Sequence, residues 1–386
     1  MQPVNLNSKK HVKTNFIVSL KSLFLKIILI LLCYVLLVYS EISRQGIKNG
    51  INLCIGTLIP SLFPFMVLAS FMVNCKIFEN PHSLSSKITE KLFYLPGYTY
   101  PAIILSFIGG YPVGAKIVKS LYENKKINDH QLNRMMCFCT CSGPAFTISL
   151  LGETLLKNKI IGLIIFLIQI SVGILIGIIC AVKSRLSKEE FYILKNPDSA
   201  SKTNIQEAFV ESTISACESM IQMCGIVIIF AMFIGIIKNF KTINLISPEF
   251  MNFYMPKAEL KALIISVLEV TFGCMQTIKS GASCSILSFA IGHGGMCTHF
   301  QIAAILKGTK FKYLKFCIFR WINAAASALI FYFILKFLEI SAPVFSTINE
   351  KQTIIESSSP PIGSAALIML CLYFLITIKL NKNLKN

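Results

Sequence analysis

From Ile160 to Val182 no charged residue interrupts the chain, and comparable apolar runs cover about 20–40, 50–74, 213–237, 311–336 and 362–380. Runs of this length suit a hydrocarbon core that takes about 20 helical residues to cross. Lipid offers no partner for loose peptide groups, so backbone that is not helical survives at that depth only inside protein or beside a watery cavity. Hydrophobic residues make up 54% and charged residues 14%, which excludes an ordinary soluble globular chain. The expected fold class is an all-α polytopic membrane protein.

Four apolar stretches break that pattern, at about 98–122, 132–152, 259–273 and 283–306; glycine, proline and polar residues interrupt them, so they are expected to be interrupted or re-entrant helices. Such breaks in both halves of a chain are the best sequence-level pointer to a carrier's binding site. At the first, Gly109, Gly110 and Gly114 permit close backbone approach, Pro112 has no donor, and Tyr111 before it is steered away from helix. A helix restarting there would aim free amides and its positive dipole end at the break, which suits an anion; tight packing through small residues is the competing reading. Ser142, Gly143 and Pro144 form the second break, either facing the first across a cavity or making an ordinary turn.

In the second half, Glu269 lies in an apolar run beside Thr271. A carboxylate at membrane depth is costly and by default marks function: protonated it would couple proton movement, ionised it would hold a cation. Lys257, Glu259 and Lys261 lie close enough for it to sit near an interface instead. Gly294 and Gly295, with His299 and Gln301, make the last cluster; these side chains either hydrogen-bond a cargo or pack between helices.

Other chemistry finds less support. The net charge of +19 comes from lysines in short loops, a placement that fits topology signals and contact with the lipid bilayer rather than nucleic acid. The fourteen cysteines include no C-x-x-C pair, which argues against disulfides and a metal site. Neither H-E-x-x-H nor G-x-S-x-G occurs, so no enzyme is expected. No organic cofactor is expected either; a coupling ion, H+ or Na+, and the oligomeric state are left open.

Basic residues place the N-terminus, the 183–212 connection and the C-terminus in the cytoplasm by the positive-inside rule. The domain reading that follows is an N-terminal segment with the first span over 1–44, a first repeat over 45–182, a polar cytoplasmic linker over 183–212, and a second repeat over 213–337. An external loop over 338–361 and a last span with a basic tail over 362–386 complete it. The topology of 98–157 stays ambiguous, because Lys116, Lys119, Lys125, Lys126 and Arg134 look cytoplasmic while the crossing count disagrees. Three matches run collinearly between the halves: Cys54 and Phe65 with Cys217 and Ile228, Leu92–Gly97 with Leu268–Gly273, and Ile-Leu-Ser-Phe at 104–107 and again at 286–289. With opposite starting sides, they point to an inverted duplication.

The order Pro60-Ser61-Leu62-Phe63-Pro64-Phe65, Leu95-Pro96-Gly97, Gly110-Tyr111-Pro112-Val113-Gly114-Ala115-Lys116 and Ser142-Gly143-Pro144-Ala145-Phe146 resembles the sporulation integral membrane proteins of the YlbJ type. Leu268-Glu269-Val270-Thr271-Phe272-Gly273 and the run from Gly294-Gly295 to His299 and Gln301 fit the same family. The likeness covers roughly 45–335, and Cys139-Thr140-Cys141 departs from an Asn-containing approach to the second break. The resemblance implies nucleoside-recognition, or gate, domains and an outline similar to concentrative nucleoside transporters. It also implies a role in sporulation, moving the small anion dipicolinate from the mother cell across the outer forespore membrane. Nucleoside carriage and a non-transporting membrane scaffold for spore cortex or coat assembly are the alternatives.

Overall fold

The computed structural model describes residues 26–27, 29–74, 83–188, 204–239 and 256–337; these are helical, with no strand among them. An apolar helix α1 (Leu29–Val38) leads into α2 (Ser40–Leu53), a π-helical turn (Cys54–Leu58) and α3 (Ile59–Asn74). Short helices follow: α4 (Ser83–Phe93), a 3-10 turn (Gly97–Thr99), α5 (Tyr100–Gly109), α6 (Tyr111–Glu123), α7 (Asp129–Met135) and a π-helical segment (Ala145–Leu155). The long α8 (Lys159–Leu186) closes this half, and the long α9 (Ile205–Asn239) opens the next. The second half continues with α10 (Lys257–Leu268), α11 (Val270–Ser280), α12 (Ser285–His293), α13 (Gly295–Ile305) and the long α14 (Tyr313–Phe337).

Among the described residues four helices are long and apolar enough to cross a membrane, within Ser40–Leu68, Lys159–Leu186, Ile205–Asn239 and Tyr313–Phe337; α4 and α5, bent by 97°, make a fifth if taken as one span. Their surfaces agree. On α8, Leu163, Leu167, Leu175 and Ile179 are exposed, while Gly162, Gln169, Gly173 and Gly177 on the other face are buried. An exposed leucine and isoleucine stripe of this kind is a lipid-facing surface rather than a solvated one.

All four irregular stretches are interrupted, at Gly110, at 136–144, at Glu269 and at Gly294. Between residues 97 and 155 no helix exceeds thirteen residues, about 20 Å of length, too short to cross about 30 Å of hydrocarbon. The boundaries at 44/45, 182/183 and 212/213 fall inside helices α2, α8 and α9. The charged residues near them, such as Lys183 and Arg185, extend their helices past the apolar span instead of ending them. The expected external loop over 338–361 and last span over 362–380 lie outside the described residues.

The long helices pair like with like: α2 and α3 pack on α9, and α8 on α14. The α2–α9 seam is built on Gly46 and Gly50, where an added Cβ would come within 2.8 Å of the Met232 Cα and 2.9 Å of the Ile228 Cα. That is the small-xxx-small packing by which membrane helices approach closely. At a polar end, Asn133 clips the halves together. It donates to the Lys310 carbonyl at 3.0 Å and accepts from the Lys312 amide at 2.6 Å, while Lys310 pairs with Asp129 at 2.9 Å.

Candidate functional site

Gly110 has φ +80°, a conformation that suits glycine, and separates α5 from α6. Pro112 sits in the first turn of α6, where a missing amide costs nothing. The second break lies directly against the first: an added Cβ on Gly143 would meet the Ile108 carbonyl at 2.8 Å and the Gly110 amide at 3.1 Å. Gly114 fits one turn further on, against the Cys139 carbonyl.

The second half brings two breaks together in the same manner. Glu269 has extended backbone between α10 and α11, and its carboxylate accepts from the Phe272 amide at 2.7 Å as the N-cap of α11. The Thr271 amide and hydroxyl also act on it. Gly294 and Gly295 both have positive φ, and an added Cβ on Gly295 would meet the Val270 amide at 2.9 Å. Tyr111 then joins the halves: its ring lies on Gly294, 3.2 Å from where a Cβ would sit, and its hydroxyl donates to the Ile291 carbonyl.

Between these four breaks lies a cavity of about 70 Å³, room for a few waters. Gly109, Gly110, Tyr111, Pro112, Ser142, Gly143, Glu269, Thr271 and Gln301 line it, so nine residues singled out from sequence meet in one place. The other five do not. Gly114 and Pro144 support the first two breaks from behind, Gly294 and Gly295 lie under Tyr111 and Val270, and His299 faces the His293 carbonyl and Cys317. Lys116 is not a cavity residue either, because it reaches across to Ser215 of α9 at 2.9 and 3.0 Å.

The apolar wall was not anticipated. Leu58 comes from the π-helical turn, Leu62, Phe65 and Met66 from α3, and Met223 and Val227 from α9; Leu62 and Phe65 belong to the Pro60–Phe65 motif, and nothing local separates the others from lipid-facing neighbours. Among the lining residues Glu269 is the one carboxylate, and no Lys, Arg or His is present. The Ser142 hydroxyl is buried and lies beside that of Tyr111.

Sequence reasoning also missed Arg320. It is 1% exposed, stands over the Tyr111 ring at 5.3 Å, and donates to the carbonyls of Thr140, Gly292 and His293. A signal existed: an arginine inside the apolar run of α14 is as unusual at membrane depth as Glu269.

No family model matches the chain, and no solved structure does. Among curated proteins it is 19% identical over 313 residues to the sporulation integral membrane protein YlbJ of Bacillus subtilis (strain 168), a match that covers 75% of this chain and 77% of that protein.

Proposed function

We propose, from the assignment of this chain to the YlbJ-type sporulation membrane proteins, that it is a carrier of a small organic acid. The observation that carries the reading is the convergence of four helix breaks, two from each half, around one cavity holding a single carboxylate. Broken helices meeting at a central cavity are how secondary transporters place polar backbone inside a bilayer.

The cargo proposed is dipicolinate, moved from the mother cell across the outer forespore membrane, with both termini of the carrier in the cytoplasm. The charge of the cavity constrains how. A dianion beside an ionised Glu269 would be strongly repelled, and the lining supplies no cation. Dipicolinate therefore enters with a proton on Glu269, which makes that residue the coupling group. The cavity in the described state is too small for an aromatic ring, so entry requires the breaks to part.

The inverted duplication is part of the same proposal. Gly97 and Gly273, matched from sequence, each pack on a serine of the preceding helix, Ser86 and Ser266. The matched Ser106 and Ser288 are both fully buried on helices that end at a break. The halves differ in two ways: α11 stands where the first half has a 3-10 turn, and α7 with its π-helical continuation has no counterpart among the described residues.

One observation favours a second cargo. A cavity without a cationic side chain suits a neutral solute such as a nucleoside. Labelled dipicolinate uptake into proteoliposomes decides, with pyridine dicarboxylates and uridine as competitors. Uptake displaced by dicarboxylates and untouched by uridine is expected. Displacement by uridine alone reassigns the cargo, and no uptake of either solute returns the protein to a scaffold role.

A further inference from the structure

Helix α12 stops at His293, and a helix end leaves its last four carbonyls without intrahelical donors. Here every one is taken. Ala290 accepts from the Gly294 amide at 2.8 Å, and Ile291 from the Tyr111 hydroxyl. Arg320 spreads its guanidinium over Ile291, Gly292 and His293, and His299 Nε2 donates to His293 at 3.1 Å. The remaining arm of Arg320 crosses to the Thr140 carbonyl in the first half. No carboxylate pairs with it among the described residues.

A guanidinium whose hydrogen bonds all go to backbone carbonyls is an unusual use of a buried charge, because the usual compensation is an acid. The oxygen cluster is nevertheless a recognisable one. Carbonyls at the C-terminal end of a broken helix are the groups with which broken-helix carriers hold a coupling Na+, favoured further by the negative dipole end. Arg320 presents several donors in a fixed plane to those same oxygens, and a second cation among them would meet a like charge at contact distance.

We infer that Arg320 is a tethered cation standing in the place of a coupling ion at the α12–α13 break, so that the protein has no sodium site there. The inference deepens the transport reading and rests on it for its meaning, since it leaves Glu269 as the coupling group. The prediction can be checked without any cargo.

The chain has a single tryptophan, Trp321, whose ring lies 4.8 Å from that of His293. Its emission and the thermal midpoint of the purified protein report on this break. The wild type should show no saturable response when choline chloride is replaced by sodium chloride. Arg320→Ala should lose roughly 5–10 °C of midpoint, because it leaves several buried carbonyls without donors. It should then recover saturably with low-millimolar guanidinium or with sodium, the vacated carbonyls accepting a free cation. A residue that merely filled space would give no such rescue.

A sodium-specific response of the wild type overturns the inference, as does an Arg320→Ala protein indifferent to both cations. If that variant does not fold, Arg320→Lys replaces it: the tethered ammonium should leave the protein less stable and blind to sodium, and a sodium response there counts against the inference. Failure of dipicolinate uptake by the wild type would remove the transport reading while leaving these measurements intact.

Discussion

Glu269 ends one helix and caps the next, and capping needs only an oxygen where its carboxylate sits. Coupling needs a group that gains and loses a proton. The two roles separate by substitution. Glu269→Gln keeps the acceptor for the Phe272 amide, so the loss of stability should stay within about 1 kcal/mol, while transport should fall at least tenfold. Glu269→Ala loses the cap as well and should cost about 1–2 kcal/mol. Uptake and thermal midpoint measured on the same preparations separate these outcomes; Glu269→Gln with normal uptake would leave the residue a cap and nothing more. Sequence made this residue legible because a carboxylate in an apolar run is conspicuous. Arg320 was equally conspicuous, but what it does was not, because its carbonyl partners lie on α12 and in the 136–144 segment, far off in the chain.

At the scale of elements, the breaks are held by contact between backbones, and glycine is required where those contacts leave no room. Gly143 sits 2.8 Å, measured from an added Cβ, from the Ile108 carbonyl of the first break. Gly143→Ala should therefore force the first two breaks apart at a cost of about 1–3 kcal/mol. Gly225 on α9 meets nothing within 4 Å, and Gly225→Ala should be neutral or stabilise by about 0.5–1 kcal/mol through its helix preference. Thermal midpoints of the pair check this, and equal losses would show that the breaks tolerate spreading. The glycine clusters were readable from sequence as breaks because lipid penalises loose backbone. Which glycines face the cavity was not readable, since Gly294 breaks its helix as Gly110 does and yet lies under Tyr111, while Gly114 packs against the Cys139 carbonyl.

For the whole molecule, the question is what holds the two halves in register. Beside the contacts of Tyr111, Arg320 and Lys116 and the α8–α14 packing, two devices that differ in kind contribute. The clip at Asn133, Lys310 and Lys312 is polar and local, whereas the α2–α9 seam is an extended contact between the partly polar α2 and the long α9. Water cannot drive helices together inside a bilayer, so association there depends on close packing. Gly50 faces Ala231 and Ile228 at 2.9 Å from an added Cβ, and one of the atoms it meets is backbone. Gly50→Leu has no cheap way to be accommodated and should push α9 outward. Met223 and Val227, which face the cavity from α9, would move with it. The variant should insert normally, because it adds an apolar residue and leaves the Ser40–Leu68 and Ile205–Asn239 runs apolar enough to span, but lose about 1–3 kcal/mol of stability and most of its uptake. Cysteine pairs placed across the seam should cross-link in the parent protein and not in the variant. Unchanged cross-linking with uptake lost would instead place the defect in the cavity wall.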